Sequence, residues 1–420
     1  MNASTSPAME RLLALEPQCA APPAAAPAMR PLPATSQPST AALHVQSIRS
    51  ERQFDALEAD WRALAARCPQ SSLFLAWDWQ RLWWRYYGAQ RQLCILVARQ
   101  AGQVVGILPL YRETHRVARL IKVRKLRPLG AGGDTAPDDL GLLAPPAQER
   151  AVAAACIDYV LRHVSGWQLI DLVDLPLDGA LARRLLDHAA QHPARVHITP
   201  PQSRTCGELP ADWPGYLRSL SSNRRELIGR KRRKFEKLPG ARFRRIDDVA
   251  QLDAAFDRLA LLHRQRWQQR SDDHGFSSPA YLGFHRALMH ALLAQGQLRL
   301  YALDLDGQAV AMFYGFRQGD ALCYFQAGFD PAHAALSPGE VLMAYVIEAA
   351  IAEGCTVFDM LKGDYAHKRH FFQQTRQTLD IRLYRPGLIH LLYRLQHWLQ
   401  RRRAGVGGQA AAGAATEPAA

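Results

Sequence analysis

Residues 322–360 read LCYFQAGFDPAHAALSPGEVLMAYVIEAAIAEGCTVFDM, and this stretch decides the fold. The apolar run LCYFQAG predicts a strand that ends in a Pro-containing loop. Ser337 and Glu340 have capping-box spacing on either side of Pro338, which predicts the start of a helix that ends before Gly354. A second short strand follows. The order strand, helix, strand indicates an α/β unit whose crossover helix covers one face of a sheet.

The start of this helix is also a candidate anion site. It lies beside the end of the first strand, and its unpaired amides and dipole can bind phosphate. A capping signature of this kind is equally typical of a helix that is simply well capped. The spacing alone leaves both interpretations open.

The chain contains an internal repeat. Residues 92–112, QLCILVARQAGQVVGILPLYR, match residues 297–317, QLRLYALDLDGQAVAMFYGFR, at a constant offset. Each segment has an apolar run, a glycine turn and a second apolar run, which indicates a hairpin. A helix with aromatic residues precedes each hairpin, and another helix and a short strand follow it. This shared order favours a duplicated domain over a coincidence of two hairpins.

The predicted fold class is α/β, more narrowly α+β. We expect tandem duplicated domains, each a mixed, mostly antiparallel sheet flanked by helices. The predicted division is a disordered Ala/Pro-rich tail over 1–42, an N-terminal domain over 43–200, a C-terminal domain over 201–385, and an amphipathic basic helix with a disordered tail over 386–420.

Composition narrows the functional classes. Lys and Arg total 52 against 38 Asp and Glu, and the net charge of +14 favours an anionic partner. The seven cysteines are an odd number without CxxC spacing, so we expect no disulfide framework, no metal site and a reducing cytoplasm. No apolar run reaches the length of a membrane span.

The stretch FDMLKGDYAHKRHFF, residues 358–372, contains candidate catalytic residues. Charged side chains just past a strand end often border ligand clefts. Lys368 can stabilise an oxyanion or hold a phosphate, and Asp359 or Asp364 can accept a proton from an attacking group. A solvated basic turn explains the same spacing equally well.

Two other segments are candidates for binding. The run from Arg218 to Arg245 has apolar residues at helical spacing, and it predicts an amphipathic helix whose cationic face binds an anionic partner or is merely solvated. The loop over residues 126–143 contains Asp134, Asp138 and Asp139, which can bind a substrate hydroxyl or amine, or it is a plain connection. No DNA-binding motif occurs, so no DNA partner is expected.

Over residues 45–385 the order of motifs resembles the CelD-like acetyltransferases of the GNAT superfamily. These proteins are associated with bacterial cellulose and exopolysaccharide synthesis and are related to Fem-type aminoacyl transferases. The resemblance is carried by the segments LFLAWDWQRLWWRYYG, GILPLY, LRPLGAGGDTAPDDLGLL, YFQAGFDPAHAALSPGEVLM and FDMLKGDYAHKRHFF, and by the basic helix before Phe235. It implies two GNAT-like domains, the second of which binds the acyl donor.

The resemblance also implies a cofactor site for acetyl-CoA or another acyl-CoA. The pantetheine would lie along the strand that ends at Gly328, and the pyrophosphate would meet the helix start. SPG stands where many GNAT enzymes have Q/R-x-x-G-x-G/A, and Fem-type relatives use aminoacyl-tRNA instead. The implied cofactor residues are Gln326, Ala327, Gly328, Ser337, Pro338 and Gly339.

The family's last motif is similar to G-D/E-x-x-Y-K. Gly363, Asp364 and Lys368 match it, and His367 replaces the usual tyrosine. The resemblance implies that Lys368 stabilises the acyl-transfer intermediate. His367 or Asp364 would then move the proton, since an ordinary histidine titrates near neutrality.

The expected function is transfer of acetyl from acetyl-CoA to an amine or hydroxyl of a small molecule or glycan precursor, in exopolysaccharide or envelope biosynthesis. Fem-type transfer from aminoacyl-tRNA and a non-catalytic GNAT-like binding module remain alternatives. The basic run from Arg218 to Arg245 is the expected surface for an anionic partner. The segment LIHLLYRLQHWLQRRR, residues 388–403, is amphipathic and basic, which fits either a membrane surface or packing onto the second domain.

Overall fold

The computed structural model describes residues 42–117, 121–267, 276, 278–363 and 366–396. The side chains of Val117, Trp267, Ala366 and His367 are outside this description. Residues 1–41 of the predicted N-terminal tail, residues 397–420 of the predicted C-terminal segment, and Asp364 therefore lie outside the described residues.

The first half begins with a strand and short helices and continues with a meander and two longer helices. In chain order its elements are β1 (His44–Ile48), α1 (Glu51–Asp55), α2 (Glu58–Ala66), α3 (Trp77–Tyr87), β2 (Gln92–Leu93), β3 (Ile95–Gln100), β4 (Gln103–Leu108), β5 (Leu110–Val117), β6 (Ile121–Pro128), α4 (Glu149–His163), β7 (Leu169–Pro176), α5 (Ala180–Gln191) and β8 (Val196–Ile198).

The second half has the same central order of hairpin, helix and strand. Its elements are β9 (Gln202–Glu208), α6 (Trp213–Ser219), α7 (Ser222–Glu236), β10 (Arg242–Arg245), α8 (Val249–Trp267), α9 (Pro279–Ala294), β11 (Leu298–Leu305), β12 (Gln308–Gln318), β13 (Ala321–Phe329), α10 (Pro338–Ala352), β14 (Val357–Lys362), α11 (Ala366–Arg369), β15 (Gln374–Tyr384) and α12 (388–396).

One long sheet runs through both halves. Its strand order is β10-β11-β12-β13-β14-β9-β15-β7-β6-β5-β2, with β8 paired to β15, and a separate small sheet has the order β1-β3-β4. Strand β15 pairs with β7 of the first half at one end and with β9 at the other. The fold is therefore a mixed α/β arrangement with a mostly antiparallel sheet. The division at residue 200 stays a prediction.

The repeated order produces the same parallel strand pair twice. In the first half β6 and β7 run parallel, and α4 lies between them in the chain. In the second half β13 and β14 run parallel around α10. Other described neighbours in the long sheet are antiparallel. The expected mixed, mostly antiparallel arrangement of strands is confirmed in both halves.

The tryptophan-rich helix α3 forms part of the core. Trp79 and Trp83 are fully buried. The ring centroid of Trp79 lies 4.9 Å from that of Phe284 on α9, in an edge-to-face arrangement. Aromatic pairs of this geometry stabilise a core beyond the area that they bury. Helices α3 and α9 of the two halves are thus joined by packing.

The basic run from Arg218 to Arg245 is not a single helix. It divides into the end of α6, helix α7 and strand β10, with turns between them. Only Ile228 and Phe235 of α7 are buried. Ser221 accepts a hydrogen bond from the Arg224 amide and so caps α7, which is why a new helix begins there.

Helix α8 crosses β13 at a glycine. A β-carbon added at Gly328 would overlap the backbone of Leu262 and His263. The φ of Gly328 lies outside the left-handed region, so its backbone conformation does not require glycine. Glycine is needed here because the two backbones approach each other closely. This contact sets the distance between α8 and the end of β13, where the candidate site lies.

Replacing Gly328 with alanine should destabilise the fold by about 1–3 kcal/mol, because α8 must move away from β13. The free energy of unfolding can be measured by denaturant titration. Gly141→Ala is the matched control, since the nearest atom to its new β-carbon is 3.9 Å away. Equal midpoints for Gly328→Ala and the wild type would contradict the assigned close contact.

Candidate functional site

Strands β13 and β14 separate part-way along their length. They pair from Ala321↔Val357 to Cys323↔Asp359, and β13 then continues to Phe329 without a described partner on that edge. The Ala327 carbonyl faces the open edge, where it accepts a hydrogen bond of 3.4 Å from Arg266 on α8. Unpaired peptide groups on a strand edge can bind an extended ligand.

A cavity of about 310 Å³ lies against this open edge. Its walls come from the end of β13, the start of α10, the end of β14 and helices α7 and α8. Of the predicted cofactor residues, Ala327, Gly328, Ser337, Pro338 and Gly339 line it, and Gln326 does not. Its charged lining residues are Lys231, Arg266 and Glu340. The cavity combines an apolar interior with a largely cationic rim.

The start of α10 differs from the predicted capping box. Ser337 has the left-handed backbone (φ 51°), and its side chain makes no capping hydrogen bond. The helix does begin at Pro338, as predicted. The Gly339 amide makes no hydrogen bond to any described residue. A free amide at a helix N-terminus attracts an anion, because the helix dipole is positive there.

Glu340 makes contacts that explain why the predicted capping box does not form. Its carboxylate receives hydrogen bonds from Arg224, at 3.1 Å, and from Lys231, both on α7. Burial alone would raise the pKa of Glu340, but these two cations hold the pKa below its usual value. Tertiary ion pairs have therefore replaced the local cap, and they bring the basic helix to the mouth of the cavity.

Lys368 lies at the end of β14. It is 4% exposed, and its ammonium donates to the carbonyl oxygens of Met360 (2.6 Å), Leu361 (3.1 Å) and Lys362 (2.7 Å). An ammonium group has three N–H donors, so these contacts match its capacity. Leu361 has the left-handed backbone, with φ 53°. Lys368 thus stabilises the bend that ends β14.

A buried group of charges occupies the opposite face of β14. Asp359 alternates with Phe358 and Met360, which pack towards α10. Its carboxylate accepts a hydrogen bond of 2.8 Å from the Leu361 amide. Cys323, its register partner, packs in a separate cluster that contains residues of both halves. Met360 lines the cavity, so the alternating Asp359 side chain points away from it.

The loop over residues 126–143 contributes two carboxylates to this group. Asp138 is 1% exposed, and one of its oxygens accepts a hydrogen bond of 2.5 Å from the Lys362 amide. Asp139 accepts one of 2.6 Å from the buried Arg204 on β9. Burial raises the pKa of Asp138 to about 7, and although Arg204 opposes this, the neighbouring aspartates add to it. Its other oxygen is buried without a described hydrogen-bond partner.

Sequence reasoning missed several residues at this point. Arg204 holds the carboxylates together, and Lys362 forms an ion pair of 2.7 Å with Asp174 on β7. Four separate elements supply the charged group, so no spacing signal connects its members. Asp134, the third predicted aspartate of the loop, instead accepts a hydrogen bond from Tyr87. Asp364 and the side chain of His367 are outside the described residues.

Residues 222–369 match a family model described as an acetyltransferase (GNAT) domain. No curated protein matches the chain by sequence. Among solved structures, FemX has a TM-score of 0.54 at 11% identity, covering 84% of this chain and 99% of that one. A tandem GNAT protein from the clavulanic acid pathway has a TM-score of 0.45 at 13% identity, covering 82% and 100%.

The C-terminal domain of a putative lysylphosphatidylglycerol synthetase from Agrobacterium fabrum has a TM-score of 0.47 at 10% identity, covering 80% of this chain and 95% of that one. At these identities a structural likeness shows only a shared fold. The similarity to FemX and the GNAT match together confirm the predicted GNAT-like fold class. The CelD-like subfamily, the donor and the acceptor stay predictions.

Replacing Lys368 with methionine should lower the free energy of unfolding by about 2–4 kcal/mol, since buried carbonyl oxygens lose their charged donor. Methionine retains the length of the side chain without the charge. Lys234→Met on α7 is the control, because Lys234 is exposed and its one described contact is 3.4 Å long. An unchanged denaturation midpoint for Lys368→Met would show that the three carbonyl contacts contribute nothing to stability.

Replacing Asp138 with asparagine should change how stability depends on pH. The folded-state pKa of about 7 lies above the ordinary 3.8, so ionising Asp138 disfavours the folded state. The wild type should therefore lose stability relative to Asp138→Asn as the pH rises from about 4 to about 7, by at most about 4 kcal/mol. Unfolding free energies at several pH values measure this difference. A difference that is constant with pH would refute the raised pKa.

Proposed function

We propose that this protein is an acyltransferase that moves acetyl from acetyl-CoA to an amine or hydroxyl of a small molecule or glycan precursor. The observation that carries the proposal is the cavity between the open edge of β13 and the free Gly339 amide. The match of residues 222–369 to a GNAT acetyltransferase domain supports the reaction class. The CelD-like order of motifs supports an acceptor from exopolysaccharide or envelope synthesis.

The donor would bind as an added strand. The amide groups of its pantetheine arm would pair with the outward peptide groups of β13, such as that of Ala327. Its phosphates would meet the Gly339 amide and the cations Lys231 and Arg266. A volume of about 310 Å³ is at the lower end for ligand pockets. It suits one arm of an extended donor better than an entire coenzyme.

The acceptor would approach from the other face of the sheet, where β13 and β14 separate. Its nitrogen or oxygen would attack the thioester carbonyl carbon. The carbon–sulfur bond would then break, and coenzyme A would leave as the thiolate. A base must take the proton of the acceptor. Asp138, Asp359, Asp364 and His367 are the candidates, and the raised pKa of Asp138 suits proton transfer near neutral pH.

Lys368 would act as a positioning residue. Its ammonium is engaged by the carbonyl oxygens at the end of β14, so direct contact with an oxyanion would require it to leave them. By fixing this bend, it would orient Asp359 and the Leu361 amide at the point where the strands separate. A positive charge buried so close by would still favour a developing negative charge.

One observation favours a second candidate, in which the donor is an aminoacyl-tRNA. Helix α7 lies beside the cavity and exposes a cationic face to solvent, and such a face can bind an RNA backbone. Its exposed basic residues are Arg225, Arg230, Arg233 and Lys234.

We also propose a reducing compartment such as the cytoplasm, since the described cysteines are buried and free.

Thermal unfolding with acetyl-CoA, coenzyme A and ADP tests the donor site. A ligand present at about a hundred times its dissociation constant should stabilise the folded protein by roughly 2.7 kcal/mol. Gly339→Glu should abolish the shift, because a carboxylate at the helix start repels phosphate. Gly339→Ala should retain it, since the nearest atom to the new β-carbon is 3.8 Å away.

The outcomes separate the two donors. A shift with both coenzymes that is lost only in Gly339→Glu supports acyl-CoA as the donor. No shift with any coenzyme, together with tRNA binding that weakens steeply with salt, would reject acyl-CoA and support aminoacyl-tRNA.

A further inference from the structure

Helix α12 is attached to the long sheet by one face. The ring of Tyr393 stacks on that of Tyr384 in β15, with centroids 4.1 Å apart. Nε2 of His390 lies 2.6 Å from the carbonyl oxygen of Ala194. Ile389 and Tyr393 pack against a small buried cluster that includes Val123 of β6. The helix is therefore held against residues of both halves, including β15 of the second half, on which the sequence had left packing open.

The opposite face of α12 is a stripe of leucines in water. Leu388, Leu391, Leu392 and Leu395 are 66%, 60%, 38% and 53% exposed. Their spacing places all four on one side of a helix. Among described residues, the other exposed large hydrophobic side chains are Val249 and Leu261, which lie on α8. A concentrated apolar stripe of this kind marks an interaction surface.

The charged residues along α12 and immediately after it in the sequence are positive. Arg394 is exposed on α12 itself. The sequence contains no Asp or Glu from Ile381 to Thr416, and this span includes Arg401, Arg402 and Arg403. A leucine face with a basic border is complementary to an anionic lipid surface. A symmetric pair of two such faces would place like charges opposite each other.

We infer that α12 binds the protein to the surface of a membrane containing anionic lipids. The four leucines enter the boundary between headgroups and acyl chains, and the basic border contacts the headgroups. Among the residues that the structure describes, no helix is long and apolar enough to cross a membrane. This inference is independent of the acyl donor and of any catalytic residue.

Sedimentation of the full-length protein with lipid vesicles tests the inference. The wild type should bind vesicles of phosphatidylcholine mixed with phosphatidylglycerol and should not bind vesicles of phosphatidylcholine alone. The double variant Leu391→Asp with Leu395→Asp should bind at least about tenfold more weakly. Val249→Asp is the matched control, because Val249 is 63% exposed on α8, and its binding should equal that of the wild type.

A further variant tests the basic border. Arg394→Gln should weaken binding by about fivefold, the effect of removing one charge. Arg225→Gln with Arg230→Gln, on the basic face of α7, should leave it unchanged. The inference fails if the α7 double variant loses vesicle binding while the leucine double variant retains it. It also fails if the wild type does not bind anionic vesicles.

Light scattering tests the alternative that a second copy of the chain binds the leucine stripe. The wild type and the leucine double variant should both have the mass of a single chain. A wild-type dimer that the leucine variant converts to monomer, with equal vesicle binding by both proteins, would overturn the inference.

Discussion

Strands β13 and β14 remain hydrogen-bonded over a short parallel segment and then separate, and the candidate site depends on that separation. Two contacts accompany it. Helix α8 lies directly on β13 at Gly328, and Lys368 holds the carbonyl groups of the bend that ends β14. Peptide groups that would otherwise pair within the sheet are left available for a ligand. The cavity and the free helix start both lie beside them.

The two faces of the sheet have opposite electrostatic character at this point. Beside the start of α10, Lys231 and Arg266 border an apolar cavity, which suits a donor with phosphates on a neutral arm. On the other face, Arg204 is buried among three aspartates. Buried charges are costly unless they are paired, and an unpartnered carboxylate oxygen in such a group is a common feature of functional sites. The proposed placement of the donor and the acceptor on separate faces rests on this division.

The long sheet explains why the charged group contains residues from both halves. Strand β15 belongs to the second half in sequence but pairs with β7 of the first. Lys362 on β14 can therefore reach Asp174 on β7, and its amide reaches Asp138 in the loop after β6. The aromatic contact between α3 and α9 adds a second connection. The first half thus contributes residues to the candidate site and also repeats the element order of the second half.

Local sequence patterns determined the element order, the repeat and the crossover helix, whereas the family resemblance supplied the six expected cofactor residues, five of which line the cavity. The first three features depend on the spacing of apolar residues and on Pro and Gly at turns, which act over a few positions along the chain. Tertiary structure alone decided the partners of the charged side chains. Glu340 has the spacing of a helix cap, yet it binds Arg224 and Lys231 from another helix. Arg204 and Asp138 carry no local signal, because ion pairs form between residues that only the folded chain brings together.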